Sequence, residues 1–96
     1  MVDLKEAFGK YEDERPKFSD LENPLHARPD LCAFLLLDKL VPRPGRDMVS
    51  AADHDVTWLD TDCDALAAVA TEDDIRVLAA CGVFYDDEVA SLSMYV

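Results

Sequence analysis

The sequence predicts an α+β fold: N-terminal helices followed by a small, mainly antiparallel three-stranded sheet with helices packed on one face. Three observations predict it. Leu4, Ala7, Phe8 and Tyr11 recur at helical spacing near the start of the chain. The run from Leu31 to Leu37 is apolar throughout, contains no β-branched residue and lies between Pro29 and Pro42. At the C-terminus, Leu92, Met94 and Val96 alternate with Ser91, Ser93 and Tyr95, the period of a half-buried strand.

The first helix is expected from about Asp3 to Glu14, with Lys5, Glu6, Lys10, Glu12 and Asp13 on its polar faces. Pro16 breaks or kinks it, and Phe18 and Leu21 extend the same face for a short turn. Asn23-Pro24 and Arg28-Pro29 punctuate the chain. Pro29 suits the first position of the second helix, and Asp30 complements the positive end of its dipole. Pro42-Arg43-Pro44-Gly45 is a loop. His54 to Asp60 reads as a strand, and Asp62 or Asp64 caps a short helix through Leu66, Ala67, Val69 and Ala70. Thr71 is the expected N-cap of a further helix that carries Ile75, Leu78 and Ala79 and stops at Gly82. Val83-Phe84-Tyr85 and Val89–Val96 then form a hairpin about Asp86-Asp87-Glu88. The expected core comprises Leu31, Phe34, Leu35, Leu37, Val56, Trp58, Ile75, Leu78, Leu92 and Met94.

Length and composition restrict function. Ninety-six residues, half of them hydrophobic, make one domain, with a helical part over about 1–41 and an acidic α/β part over about 47–96. No run approaches the ~18 apolar residues of a membrane span, and the first residues lack the basic start and apolar stretch of a signal peptide, so a cytoplasmic location is expected. Cys32, Cys63 and Cys81 are scattered singly, without the spacing of a disulfide framework or a zinc site.

The net charge of −12 is unevenly placed. Up to Arg46, eight bases face nine acids, a net of −1; from Asp47 onward Arg76 alone faces twelve acids, a net of −11. Such a surface repels nucleic acid and membrane phosphates and favours a basic partner. The expected partner-binding residues are Asp53, Asp55, Asp60, Asp62, Asp64, Asp73, Asp74, Asp86, Asp87 and Glu88. Asp53 and Asp55, then Asp60, Asp62 and Asp64, recur at every second position. In an extended segment that puts carboxylates about 6.6 Å apart on one side, where they can stand in for backbone phosphates.

Other chemistry is thin. Asp60-Thr61-Asp62-Cys63-Asp64 resembles the opening of an EF-hand calcium loop. Ala65 stands where the turn glycine belongs and Thr71 where the bidentate glutamate belongs, so no metal and no cofactor are expected. Asp53-His54-Asp55 flanks a histidine with carboxylates, but neighbours on a strand point to opposite faces. His26 lies in a loop, and Gly9, Gly45 and Gly82 form no phosphate-binding loop. With no nucleophile–base arrangement in view, no enzymatic activity is expected.

Two segments, Arg28–Asp38 and Cys81–Glu88 continuing to Met94-Tyr95-Val96, resemble an uncharacterised family of small proteins from phages, prophages and other mobile elements. The resemblance implies a bacterial host cell and inhibition of a host defence or regulatory complex, as anti-CRISPR and anti-restriction proteins do. On this reading the protein docks an acidic, DNA-mimicking surface on a basic host protein or ribonucleoprotein complex and binds neither nucleic acid nor membrane itself. The alternative is a structural or accessory module that self-associates, for instance as a homodimer, or assembles through an apolar surface.

Overall fold

A computed structural model describes residues 2–95. The order of elements is α1 (Leu4–Gly9), a 3-10 turn (Phe18–Asp20), α2 (Pro29–Leu40), β1 (Val49–Asp53), β2 (Val56–Leu59), α3 (Cys63–Val69), α4 (Glu72–Ala80), β3 (Val83–Asp86) and β4 (Ser91–Tyr95). The α+β class is as expected, with four strands in place of three: the sheet is antiparallel throughout in the order β1-β2-β4-β3.

Local chemistry sets most of the boundaries. Asp3 caps α1 by accepting from the Glu6 amide at 3.2 Å. The helix stops at Gly9, short of the expected Glu14. Glycine is a poor helix former, and continuing would place Glu12, Asp13 and Glu14 at the negative end of the dipole. α2 starts at Pro29, the position a missing N–H suits best. Asp62 caps α3 by accepting from the Ala65 amide at 3.1 Å. Thr71 and Asp74 form a reciprocal capping box at the head of α4. Gly82, at φ +96°, follows α4 and turns the chain into β3.

Register divides the sheet into two faces, because residues directly opposite each other point to the same side. Thr57, Met94 and Val83 form one row; Trp58, Ser93 and Phe84 form the next, on the other face. On the inner face Leu59, Val83, Leu92 and Met94 are buried with Leu4, Phe8, Leu36, Leu37, Leu66, Ile75 and Leu78 in one cluster beneath the helices. The outer face carries Val56, Trp58, Phe84, Ser93 and Tyr95. The Cα radius of gyration, 12.2 Å, matches the ~12.5 Å of a compact chain of this length.

Several expectations are corrected. β1 was not expected, and its five residues are all exposed, so burial left no pattern in them. The strand expected over His54–Asp60 is confined to Val56–Leu59, with His54 and Asp55 in the hairpin turn. Val89 and Ala90 belong to the β3–β4 turn, and Val96 lies outside the described residues. Of the expected core, Leu37, Ile75, Leu78, Leu92 and Met94 are buried, and Phe34 packs at its margin. Leu31 and Leu35 are exposed by 37% and 46%, because α2 turns Cys32, Ala33, Leu36 and Leu37 inward. Val56 and Trp58 are only half-buried, on the outer face.

Candidate partner-binding surface

The ten acids singled out from the sequence fall in three places. Asp60, Asp62, Asp64, Asp86, Asp87 and Glu88 gather at one end of the sheet. Asp86 pairs with Ser91 at the start of β4. The Ser91 hydroxyl donates to the Leu59 carbonyl at 3.3 Å, joining the β3–β4 turn to the exit of β2. The Cys63 thiol lies 3.8 Å from the Ala90 carbonyl, so the head of α3 meets the same turn. Asp53 and Asp55 sit at the opposite end: Asp53 pairs with Val56, and Val56 with Tyr95 at the far end of β4. Asp73 and Asp74 lie in the first turn of α4. They line a recess with Glu22, Lys39 and Arg76, against α2 and the loop before it.

The expected row of carboxylates over Asp60, Asp62 and Asp64 is not extended. Asp60 follows the last residue of β2, Asp62 is a helix cap and Asp64 lies inside α3. Helical spacing replaces strand spacing there, so the ~6.6 Å repeat does not arise.

Several of these acids already have partners. Arg46 Nε donates to Asp60 Oδ2 at 2.6 Å and Arg46 Nη2 to Oδ1 at 3.2 Å; Arg43 Nη1 also donates to Oδ1 at 3.2 Å. The hydrogen bonds from Arg46 hold the Asp60 carboxyl below its usual value of 3.8. This triad pins the loop after α2 to the end of β2. Neither arginine is near Asp60 in sequence, so nothing local announces the contact. Lys5 meets Asp87 at 3.1 Å and Arg76 meets Asp73 at 2.8 Å, and each base is raised first by the hydrogen bond it donates. Asp53 accepts from the His54 amide at 2.8 Å. Among the described residues, Asp55, Asp64 and Glu88 have neither a cationic partner nor a side-chain hydrogen bond.

The outer sheet face carries an aromatic layer outside the acidic set expected from the sequence. Trp58 Nε1 donates to Asp86 Oδ2 at 3.4 Å, although β4 separates their strands. The indole therefore crosses over β4, where Ser91 and Ser93 leave room for it. Ser93 is fully buried, and its hydroxyl has no hydrogen-bond partner among the described residues. Phe84 and Tyr95 stack with ring centroids 4.7 Å apart, and the Arg15 guanidinium lies 5.1 Å above the Tyr95 ring. The period-2 pattern of β3 and β4 is the signal that could have exposed this aromatic face.

Cys32 and Cys81 are both buried. Burial above all, then the neighbouring Cys32 thiol, pushes Cys81 up to about 12, which makes it a poor nucleophile. Among the described residues no three His, Cys, Asp or Glu side chains are arranged to hold a metal ion. No helix among them is long and apolar enough to cross a membrane. No family model matches the chain, nor does any curated protein or solved structure.

Proposed function

We propose that the protein is a non-enzymatic, phage-type inhibitor that docks the acidic end of its sheet onto a basic nucleic-acid-binding protein or ribonucleoprotein complex of a bacterial host. One observation carries this reading. Two groups of acids far apart in the chain, Asp60-Asp62-Asp64 and Asp86-Asp87-Glu88, are drawn to the same end of the sheet by the β2–β4–β3 register. A basic groove shaped for phosphates meets carboxylates of this kind with charge-assisted hydrogen bonds. The chain's net charge of −12 steers it toward such a groove. Asp55, at the opposite end, serves as an internal control.

The test begins with capture of the partner from a bacterial lysate and its identification. Competition with the partner's nucleic-acid ligand is then measured at low and moderate salt. The informative variant combines Asp64→Asn, Asp87→Asn and Glu88→Gln, which leaves the Asp60 triad, the Asp62 cap and the Asp86–indole contact in place. It is expected to compete at least about tenfold more weakly, about 1.4 kcal/mol, and with a shallower salt dependence. Asp53→Asn with Asp55→Asn is expected to compete like the parent. Equal potency of all three proteins would remove the basis for the reading.

A second reading, self-association through an apolar surface, is favoured by Leu31 and Leu35, exposed one turn apart on α2. Ionic strength separates the two, because apolar association does not weaken with salt. If sedimentation shows a dimer that persists at high salt and disappears in Leu35→Glu, the second reading gains.

A further inference from the structure

At the edge of β3, the turn after α1 brings Tyr11 and Glu12 beside Val83, Phe84 and Tyr95, lining a cavity of about 200 Å³ to which Arg15 also contributes. Gly82 places no side chain opposite Tyr95, whose amide donates to the Gly82 carbonyl at 3.2 Å. The Tyr95 ring stacks on Phe84, with 28° between the ring planes. We infer that this cavity is a seat for one arginine side chain of the basic partner, and that Arg15 holds the seat's rim until the partner arrives. The inference rests on the reading of the protein as a binder of a basic partner, and it names the chemistry recognised.

Size, charge and an existing contact converge on this occupant. Pockets for drug-sized ligands run from about 300 to 1,000 Å³, so a cavity of about 200 Å³ fits a single side chain better. Its lining includes Tyr11, Phe84 and Tyr95, whose ring quadrupoles attract cations, and Glu12 adds a carboxylate. A planar guanidinium stacks on such rings better than an ammonium does. Arg15 shows that a guanidinium is accommodated over Tyr95, at 5.1 Å from the ring centroid. Among the described residues Arg15 makes no ion pair or side-chain hydrogen bond, so little opposes its displacement. A second copy of the chain is disfavoured as occupant because each carries a net charge of −12, and the same charge repels nucleic acid.

The probe is a short peptide carrying three arginines spaced by glycines. Its control replaces each arginine with citrulline, which keeps the shape and removes the charge. Titrations followed by NMR give the Kd and the shifts of the Tyr95 and Phe84 ring signals. The arginine peptide is expected to move those signals and the citrulline peptide to leave them unmoved. Removing the cis competitor with Arg15→Gln is expected to tighten binding at least threefold. Lys39→Gln on α2, which removes the same charge elsewhere, is expected to change it less than twofold. Tyr95→Leu is expected to weaken binding at least fivefold with melting retained; if it unfolds, Glu12→Gln, an exposed change, is expected to weaken binding at least twofold. Equal tightening by Arg15→Gln and Lys39→Gln, or equal binding of the two peptides, overturns the inference. So does full binding by folded Tyr95→Leu or, where that variant unfolds, by Glu12→Gln. The acidic end is judged separately. If the Asp64, Asp87 and Glu88 variant loses the peptide while Tyr95→Leu keeps it, the cavity fails and the docking surface survives; the reverse pattern sustains the cavity and removes the acidic end from recognition.

Discussion

The two faces of the sheet are built from the same strands and do opposite things. The inner face is a closed hydrophobic surface: Leu59, Val83, Leu92 and Met94 are each 2% exposed or less. The outer face is aromatic and partly open, with Trp58 and Phe84 half-buried and Tyr95 50% exposed. The inner face holds the fold together because its apolar area is fully removed from water. The outer face leaves large rings partly exposed and carries a hydroxyl at Ser93 with no hydrogen-bond partner among the described residues. Alternate residues of β2, β3 and β4 therefore face the closed core and the partly open aromatic layer.

The sharpest way to break this comparison is to truncate matched residues on the two sides. Leu92→Ala is expected to cost about 2–5 kcal/mol, read as a melting temperature lower by about 4–8 °C per kcal/mol. Trp58→Ala removes more atoms yet is expected to cost only about 1–2 kcal/mol, because the ring is half exposed and its Nε1 bond is long. If Trp58→Ala is as damaging as Leu92→Ala, the outer face belongs to the core.

A smaller effect of opposite sign is expected at Ser93. Ser93→Ala deletes a buried hydroxyl with no partner and leaves its row otherwise intact, so stability should be unchanged or rise by up to about 1 kcal/mol. Chemical denaturation checks this, and a clear loss would mean that the hydroxyl is satisfied from above by the indole.

The smallest effect belongs to the Asp60 triad. Its carboxyl titrates below the usual 3.8 because Arg46 and Arg43 bind the charged form. A lowered folded value contributes stability that is present above 3.8 and lost as pH falls through the folded value. Asp60→Asn should therefore be less stable than the parent at neutral pH, and the gap should close in acid, below pH 3.8. Urea midpoints measured across that range check the sign, and added salt should narrow the gap at neutral pH.

What was legible in the sequence is what local chemistry dictates. The Asp62 cap, the Thr71–Asp74 box, Pro29 and Gly82 mark helix ends through their own side chains or φ, so α2, α3 and α4 could be placed. The 83–95 hairpin followed from its alternation. The Leu31–Leu37 run is apolar on every side, so its composition does not say which side faces inward, and Leu31 and Leu35, expected in the core, are exposed. β1 left no trace because it is exposed on both faces and held only by pairing with β2. Of the candidate surface, charge and composition were visible, but its geometry was not. The acids looked like a ladder in an extended chain; in the fold, Asp62 and Asp74 are caps and Asp60 is claimed by arginines from another loop.

The β1 pairing also breaks register between Val49 and Ala51, and the Ser50 hydroxyl donates to the Trp58 carbonyl at 3.1 Å. An exposed edge strand invites the edge of another molecule, and through it fibre growth. Here the irregularity interrupts the row of free backbone groups, and Asp47 and Asp53 set negative charge at either end of the strand. A five-residue edge treated this way is a poor template. Irregular pairing and charge at both ends thus guard the β1 side of the sheet against the edge-to-edge growth from which polymers begin.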